Sequence, residues 1–265
     1  DYRRTPRAYR NTSMRIEATD YVGTEEGFAK TQEGYAETLR ALGRVEEAEA
    51  IAFAWRDRWP NLRRLSLEIA VAALDARDGG AIPPQRLQRY LDAIEADRSA
   101  SGAAAMAWRE YRSGAFDSAS GWFQKALAWT PGDAPPRGLV EGYVLALQGA
   151  KRFDAATAAA AKWRAVSAEY NAVYLQSELQ RLAAAGKAGE ITPAEYAEIE
   201  KTMAGAQSAQ GALALAWIAY ETHDYAHALD WFGKAGQWDF DAAGPKAEEG
   251  RALCLRALER YEELA

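Results

Sequence analysis

The stretch AMAWREYRSGAFDSASGWFQKALAW, residues 105–129, recurs as ALAWIAYETHDYAHALDWFGKAGQW, residues 214–238, at a constant offset of 109. Ten of the 25 aligned positions are identical, and three of those identities are tryptophan, so chance is a poor explanation. Three further segments, 33–47, 141–155 and 249–263, each open with Glu-Gly at offsets of 108 and 216. The chain therefore holds about two and a half copies of a unit of 108–109 residues, and we expect it to belong to a longer array.

Each unit has helical periodicity, because apolar and small residues recur at spacings of three and four while strand-like alternation is absent. Breaker residues divide the unit into six segments, which predicts three helical hairpins of about 36 residues each. At one helix start, Thr192, Pro193 and Glu195 have the spacing of a capping box. The helices are predicted near 30–42, 45–57, 61–77, 85–97, 102–113, 116–129, 138–150, 153–166, 169–185, 193–205, 211–222, 225–237 and 246–264.

These hairpins resemble tetratricopeptide repeats, whose second helices carry the pattern Ala-x3-aromatic-x2-Ala-x4-Pro. The pattern is complete in one hairpin, at Ala119, Phe123, Ala126 and Pro131. In its sister hairpin the pattern is kept up to the proline, at Ala228, Phe232, Ala235 and then Phe240. The resemblance implies an all-α fold, an α-solenoid of about six hairpins plus a terminal helix, with these alanine and phenylalanine side chains buried between hairpins.

The repeat boundaries predict how the chain is divided. The predicted segments are a partly flexible lead-in at 1–28, a first three-hairpin unit at 29–136, a second at 137–245, and the first helix of a truncated third unit at 246–265.

Composition excludes several classes of function. With 32 Lys and Arg against 38 Asp and Glu, the net charge is −6 and the pI is about 5.2, which argues against a nucleic-acid partner. A single cysteine, Cys254, excludes an internal disulfide and a cysteine-based zinc knuckle. No apolar stretch approaches the roughly 20 residues needed to cross a bilayer, so we expect no membrane insertion of this segment.

Catalytic chemistry is not indicated by the sequence. The two histidines, His223 and His227, flank Asp224 at a spacing that could hold a metal. Because His223 falls in the predicted turn and His227 in the following helix, we favour solvated turn residues over a metal site. Cys254 lies in an apolar row typical of an inert thiol. We therefore expect no enzyme activity, no catalytic residue, no metal and no cofactor.

The family resemblance implies that the first helix of each hairpin lines a concave surface that binds a protein or peptide partner. The predicted binding residues are Glu37, Arg40, Trp108, Tyr111, Arg112, Trp217, Tyr220 and Glu221. Matched positions extend the lining to Glu33, Glu141, Leu145 and Gln148. Two interpretations of Trp108 and Trp217 stay open here, since their indoles fit either the seam to the preceding hairpin or a groove where a peptide or glycan stacks.

A narrower hypothesis concerns the biological setting. The hairpin at 107–131 resembles repeats of bacterial exopolysaccharide or cellulose secretion proteins, in which a periplasmic solenoid precedes an outer-membrane channel. This favours the periplasm over the cytoplasm and adds polysaccharide as a second partner class. The alternative is a spacer or regulatory solenoid of a larger enzyme or channel complex that binds glycan directly.

Overall fold

The protein is described by a computed structural model covering residues 25–76, 81–188 and 192–264. Within these ranges the regular secondary structure consists of 13 α-helices and one short 3-10 helix, with no strand. The first five helices are α1 Glu25–Ala41, α2 Val45–Trp55, α3 Pro60–Asp75, α4 Pro84–Ala96 and α5 Ala100–Arg112. The others are α6 Phe116–Trp129, α7 Arg137–Gly149, α8 Phe153–Ala161, α9 Ala168–Ala188, α10 Pro193–Gly205, α11 Ala209–Glu221, α12 Tyr225–Trp238 and α13 Phe240–Ala257, followed by the 3-10 turn Tyr261–Leu264.

The helices form two compact units, one ending at Ala105 and the other beginning at Met106. In the first unit α1 packs on α2, and the first helix of the next hairpin, α3, packs on both. In the second unit the first helices α7, α9, α11 and α13 pack each on the next, while α8 and α12 pack on their flanks. Stacked hairpins of this kind define an α-solenoid. The repeat boundaries at 136/137 and 245/246 stay predictions.

Left-handed backbone turns recur at the repeat spacing. A positive φ occurs at Gly43, Lys151 and Glu259, each 108 residues from the next, and again at Gly114 and His223, which are 109 apart. Each turn ends a first helix and reverses the chain into the following element. Only glycine adopts this region without steric cost, so Lys151, His223 and Glu259 hold it at a cost of about 1–2 kcal/mol each.

In the second unit, phenylalanine rings fill the space between hairpins, and each ring packs against a glycine of the next hairpin. Phe123 and Phe232 are fully buried, and so are Ala119, Ala126, Ala228 and Ala235, which confirms the predicted core. A Cβ added to Gly142 of α7 would lie 2.5 Å from Phe123 Cζ, and Gly250 of α13 lies equally tightly over Phe232. The two glycines permit an approach that any side chain would block.

The predicted capping box is confirmed at the start of α10. The backbone N–H of Glu195 donates to Thr192 Oγ1 at 3.3 Å, and the backbone N–H of Thr192 donates to Glu195 Oε2 at 3.0 Å. The Thr192 hydroxyl also donates to that carboxylate, and these bonds hold the pKa of Glu195 below its usual range. Local sequence chemistry alone therefore sets this helix start.

The boundaries of the terminal helices differ from prediction. The last helix was expected at 246–264, but α13 begins at Phe240 and ends at Ala257. The Asp239 side chain caps it by accepting from the Ala242 N–H at 3.0 Å, and exposed Pro245 is accommodated in its second turn. The first helix begins at Glu25, five residues earlier than predicted, while residues 1–24 of the predicted lead-in lie outside the described residues.

Candidate functional site

A groove of about 280 Å³ opens between α7 and α9, which are first helices of neighbouring hairpins in the second unit. Five α7 side chains line it, namely Arg137, Glu141, Val144, Leu145 and Gln148. Three α9 side chains complete it, namely Ala172, Val173 and Gln176. The α7 set recurs at spacings of three and four, so it forms one stripe along that helix.

The centre of this groove is apolar. Val144 and Val173 are buried and form its floor, being only 3% and 7% exposed. Leu145 lies beside these two valines in the lining and is 37% exposed. Ala172 is small and leaves the opposite wall open. An incoming apolar side chain would therefore bury surface of Leu145 that is exposed to water in the free protein, and this burial favours binding.

The two ends of the groove differ in chemistry. At the start of α7, the Arg137 guanidinium donates to the Glu141 carboxylate at 3.4 Å, so the positive and the negative charge at this end pair along one helix. At the other end the neutral amides of Gln148 and Gln176 line the opening. A side-chain amide both donates and accepts hydrogen bonds, which is what the backbone of an extended peptide requires.

The predicted aromatic residues lie on α5 and α11 and repeat one contact pattern. Trp108 is edge-on to Phe123 at 5.0 Å and to Tyr111 at 5.6 Å between ring centroids. Trp217 makes the matching contacts with Phe232 at 4.9 Å and Tyr220 at 5.8 Å. All four Trp and Tyr residues are partly buried, and each indole packs on the phenylalanine of its own hairpin.

Trp108 also packs at the seam with the next hairpin. A Cβ on Gly142 of α7 would lie 2.7 Å from Trp108 Cζ2. This contact gives the indole a packing role at the seam with the following hairpin, whereas the packing interpretation from sequence placed it at the seam to the preceding one. The role of Trp108 and Trp217 in binding stays a prediction.

The predicted charged residues fall into two environments. Arg40 on α1 pairs with Glu68 on α3 at 3.6 Å, so its guanidinium is engaged within the first unit. Glu37, Arg112 and Glu221 are exposed, the last two at the ends of α5 and α11. Of the wider predicted lining, Glu141, Leu145 and Gln148 meet in the α7–α9 groove.

The two histidines lie where the sequence placed them, His223 in a turn and His227 in the following helix, but His227 also contacts a neighbouring helix. His223 is exposed in the turn before α12, but His227 lies within α12 and its Nε2 contacts the Glu200 carboxylate of α10. Trp231 Nε1 donates to the same carboxylate at 2.9 Å. Burial raises the pKa of the neighbouring Tyr196 phenol, and the charges of Glu200 and Asp224 raise it further. The tertiary approach of α10 to α12 creates this cluster.

Among the residues that the structure describes, no group of three His, Cys, Asp or Glu side chains is arranged to hold a metal. Cys254 is buried in the apolar core, where burial raises the pKa of its thiol. No described helix is long and apolar enough to cross a bilayer.

Sequence reasoning missed the α9 wall of the groove and Arg137 at its end. Arg137 precedes the Glu141 position by one helical turn, and that spacing could have extended the predicted stripe. Nothing in the sequence of α9 distinguishes Val173 and Gln176 from other apolar and polar positions, because the groove exists only through the packing of α7 on α9.

The geometry defines an all-α protein of the α-solenoid class with an open groove between first helices. No family model and no curated protein matches the sequence. Among solved structures, one similar fold is YrrB, described as a TPR protein with an unusual peptide-binding site, at TM-score 0.41 and 15% identity, covering 83% of this chain and 96% of that one. Another is the APC/C hetero-tetramer Cut9-Hcn1, at TM-score 0.40 and 14% identity, covering 96% of this chain and 47% of that one.

Proposed function

We propose that this chain is a non-enzymatic protein-interaction scaffold that holds an extended segment of a partner protein in the α7–α9 groove. The observation that carries the proposal is the exposed Leu145 standing over a buried floor of Val144 and Val173. Extended segments suit the groove, because it runs along stacked helices and carries amides that can bond a peptide backbone.

A random 12-residue peptide library displayed on phage, panned against the full chain, tests this proposal. Binding clones are counter-screened on a Leu145→Glu variant, which places a charge in the apolar centre and should weaken groove ligands at least about tenfold. Val166→Glu is the matched control, because Val166 is a 49% exposed aliphatic residue that does not line this groove. Clones that bind both variants equally well, or an absence of binding clones, would reject the proposal.

The predicted residues on α5 and α11 form a second candidate surface for the same partner or for a glycan. The half-buried pairs Trp108–Tyr111 and Trp217–Tyr220 support it, since the face of a partly exposed indole can stack on a sugar ring. Titration with cello-oligosaccharides, followed by tryptophan fluorescence, tests it. Trp108→Ala and Trp217→Ala should each weaken binding. An unchanged affinity would show that these two indoles serve packing and do not bind the glycan.

The narrower setting, a periplasmic scaffold in bacterial exopolysaccharide or cellulose secretion, rests on the resemblance of the hairpin at 107–131. Binding of cello-oligosaccharides to the full chain supports that setting or the alternative of a spacer solenoid that binds glycan directly. A chain that binds peptides and no glucan would favour the protein scaffold. Fractionation of the source cells tests the compartment.

A further inference from the structure

The charge on the groove wall is balanced within the groove itself. Arg137 and Glu141 are its only ionisable lining residues, and they pair with each other at 3.4 Å. The groove therefore presents no net charge, although the whole chain carries −6. Recognition of acidic or phosphorylated segments depends on clustered, unpaired arginines, which this lining does not provide.

The apolar part of the lining favours ligands with aliphatic side chains. Leu145, Val144 and Val173 are aliphatic, and the groove lining has no aromatic ring on which a cation or a sugar could stack. An aliphatic side chain placed over Leu145 would cover surface that is now in water. A charged side chain placed there would lose its hydration against three apolar side chains.

The two amides beside this centre are available for a ligand. Gln148 is half-buried and Gln176 is exposed, and within the described residues neither side-chain amide bonds another protein group. Amides on two different helices can bond the N–H and C=O groups of one extended strand. They would hold the backbone while Leu145 contacts a side chain.

We propose that the α7–α9 groove selects an extended, uncharged peptide segment with an aliphatic side chain over Leu145, and that its affinity is nearly independent of salt. This inference rests on the proposed function and adds the class of segment that is bound. Without ionic contacts between groove and ligand, added salt has little to screen.

The experiment uses synthetic peptides made from the clones that lose binding to Leu145→Glu. Their affinity for the full chain is measured by fluorescence polarisation in 50 mM and in 500 mM NaCl. We expect sequences rich in Leu, Ile, Val and uncharged residues, and a Kd change of less than about threefold between the two salts. Replacing the central aliphatic residue of the peptide with Asp should weaken binding more than tenfold.

Variants of the two amides provide the second readout. Gln148→Ala and Gln176→Ala should each weaken the peptides about two- to tenfold, as expected for one lost hydrogen bond, with an unchanged melting temperature. Groove-dependent peptides that are rich in charged residues, or whose Kd rises more than tenfold with salt, would overturn this inference and leave the proposed function standing. No groove-dependent peptide at all would overturn both.

Discussion

Two pairs of stacked first helices present different surfaces. In the first unit, ion pairs connect α1 with α3, since Arg64 donates to Glu33 at 2.9 Å and Arg40 lies 3.6 Å from Glu68. Asn61 of α3 also donates to Glu33 at 2.9 Å. These contacts tie the two helices together across their shared face.

In the second unit the charged pair on the equivalent face lies along one helix. Arg137 and Glu141 are both on α7, so no ion pair spans the α7–α9 groove within its lining. The apolar centre around Leu145 stays accessible as a result. The comparison teaches that stacked first helices form a closed or an open face according to where their ionic partners lie.

Both units bury a paired carboxylate, Glu49 in the first unit and Glu178, which pairs with Arg181 at 3.1 Å, in the second. In the first unit the buried carboxylate of Glu49 accepts from Arg86 Nε at 2.7 Å and from the Tyr90 hydroxyl at 2.5 Å, and it also pairs with Arg89. Burial, together with this carboxylate, raises the pKa of Tyr90 to about 12. In the second unit Phe123 packs beneath Gly142 and supports α7 from below without any charge.

The largest expected effect comes from removing that support. Phe123→Ala should lower the free energy of unfolding by about 3–5 kcal/mol, because it deletes a fully buried ring under the groove helix. Urea denaturation followed by circular dichroism measures it. Phe240→Ala, at a 62% exposed ring, is the control and should change stability by less than about 0.5 kcal/mol. A loss below about 1 kcal/mol for Phe123→Ala would contradict the assigned packing.

Next in size is the loss of the buried charge in the first unit. Glu49→Gln should cost about 3 kcal/mol, since it leaves Arg86 and Arg89 without their shared anion. Glu46→Gln is the matched control, because its carboxylate is 87% exposed and 3.6 Å from Arg86, and it should cost less than about 1 kcal/mol. Thermal melting of both variants measures the two losses of stability. Equal losses would show that the buried Glu49 cluster stabilises the fold no more than an exposed ion pair does.

The close approach of α7 to Phe123 can be tested at one glycine. Gly142→Ala should destabilise by about 1–3 kcal/mol, because the new Cβ collides with the Phe123 and Trp108 rings. Gly121→Ala on α6 is the matched control, since open space surrounds it, and it should stabilise by about 0.5–1 kcal/mol. Opposite signs in denaturant melts are expected, and a neutral Gly142→Ala would mean that α7 can shift freely.

The smallest effect concerns the ion pairs that close the α1–α3 face. Glu33→Gln should cost about 0.2–1 kcal/mol, because Arg64 is largely exposed and solvent screens the pair. The cost should shrink further in 0.5 M NaCl. Parallel melts of the variant and the parent chain at two salt concentrations measure it, and a salt-independent loss above about 2 kcal/mol would assign Glu33 a buried structural role instead.

Local chemistry explains why most helices could be placed from sequence. The spacing of Thr192 and Glu195 predicts a helix start, and the pattern of alanines around Phe123 predicts which face of α6 is buried. The prediction failed at the start of the last helix, expected at residue 246, because Asp239 caps a helix that begins at Phe240. The sequence also did not reveal the contact of His227 with Glu200, because these two residues are distant in sequence.

The sequence by itself determined the repeat, its all-helical hairpins and the residues buried between them, because periodicity and turn chemistry act over a few neighbouring residues. It placed Glu33, Arg40, Glu141 and Leu145 on first helices without distinguishing among them. Tertiary structure alone decided that Glu33 and Arg40 find partners on α3 while Leu145 stays open to a ligand. The reason is that an ion pair or a groove between helices depends on how neighbouring helices align, which no single helix specifies.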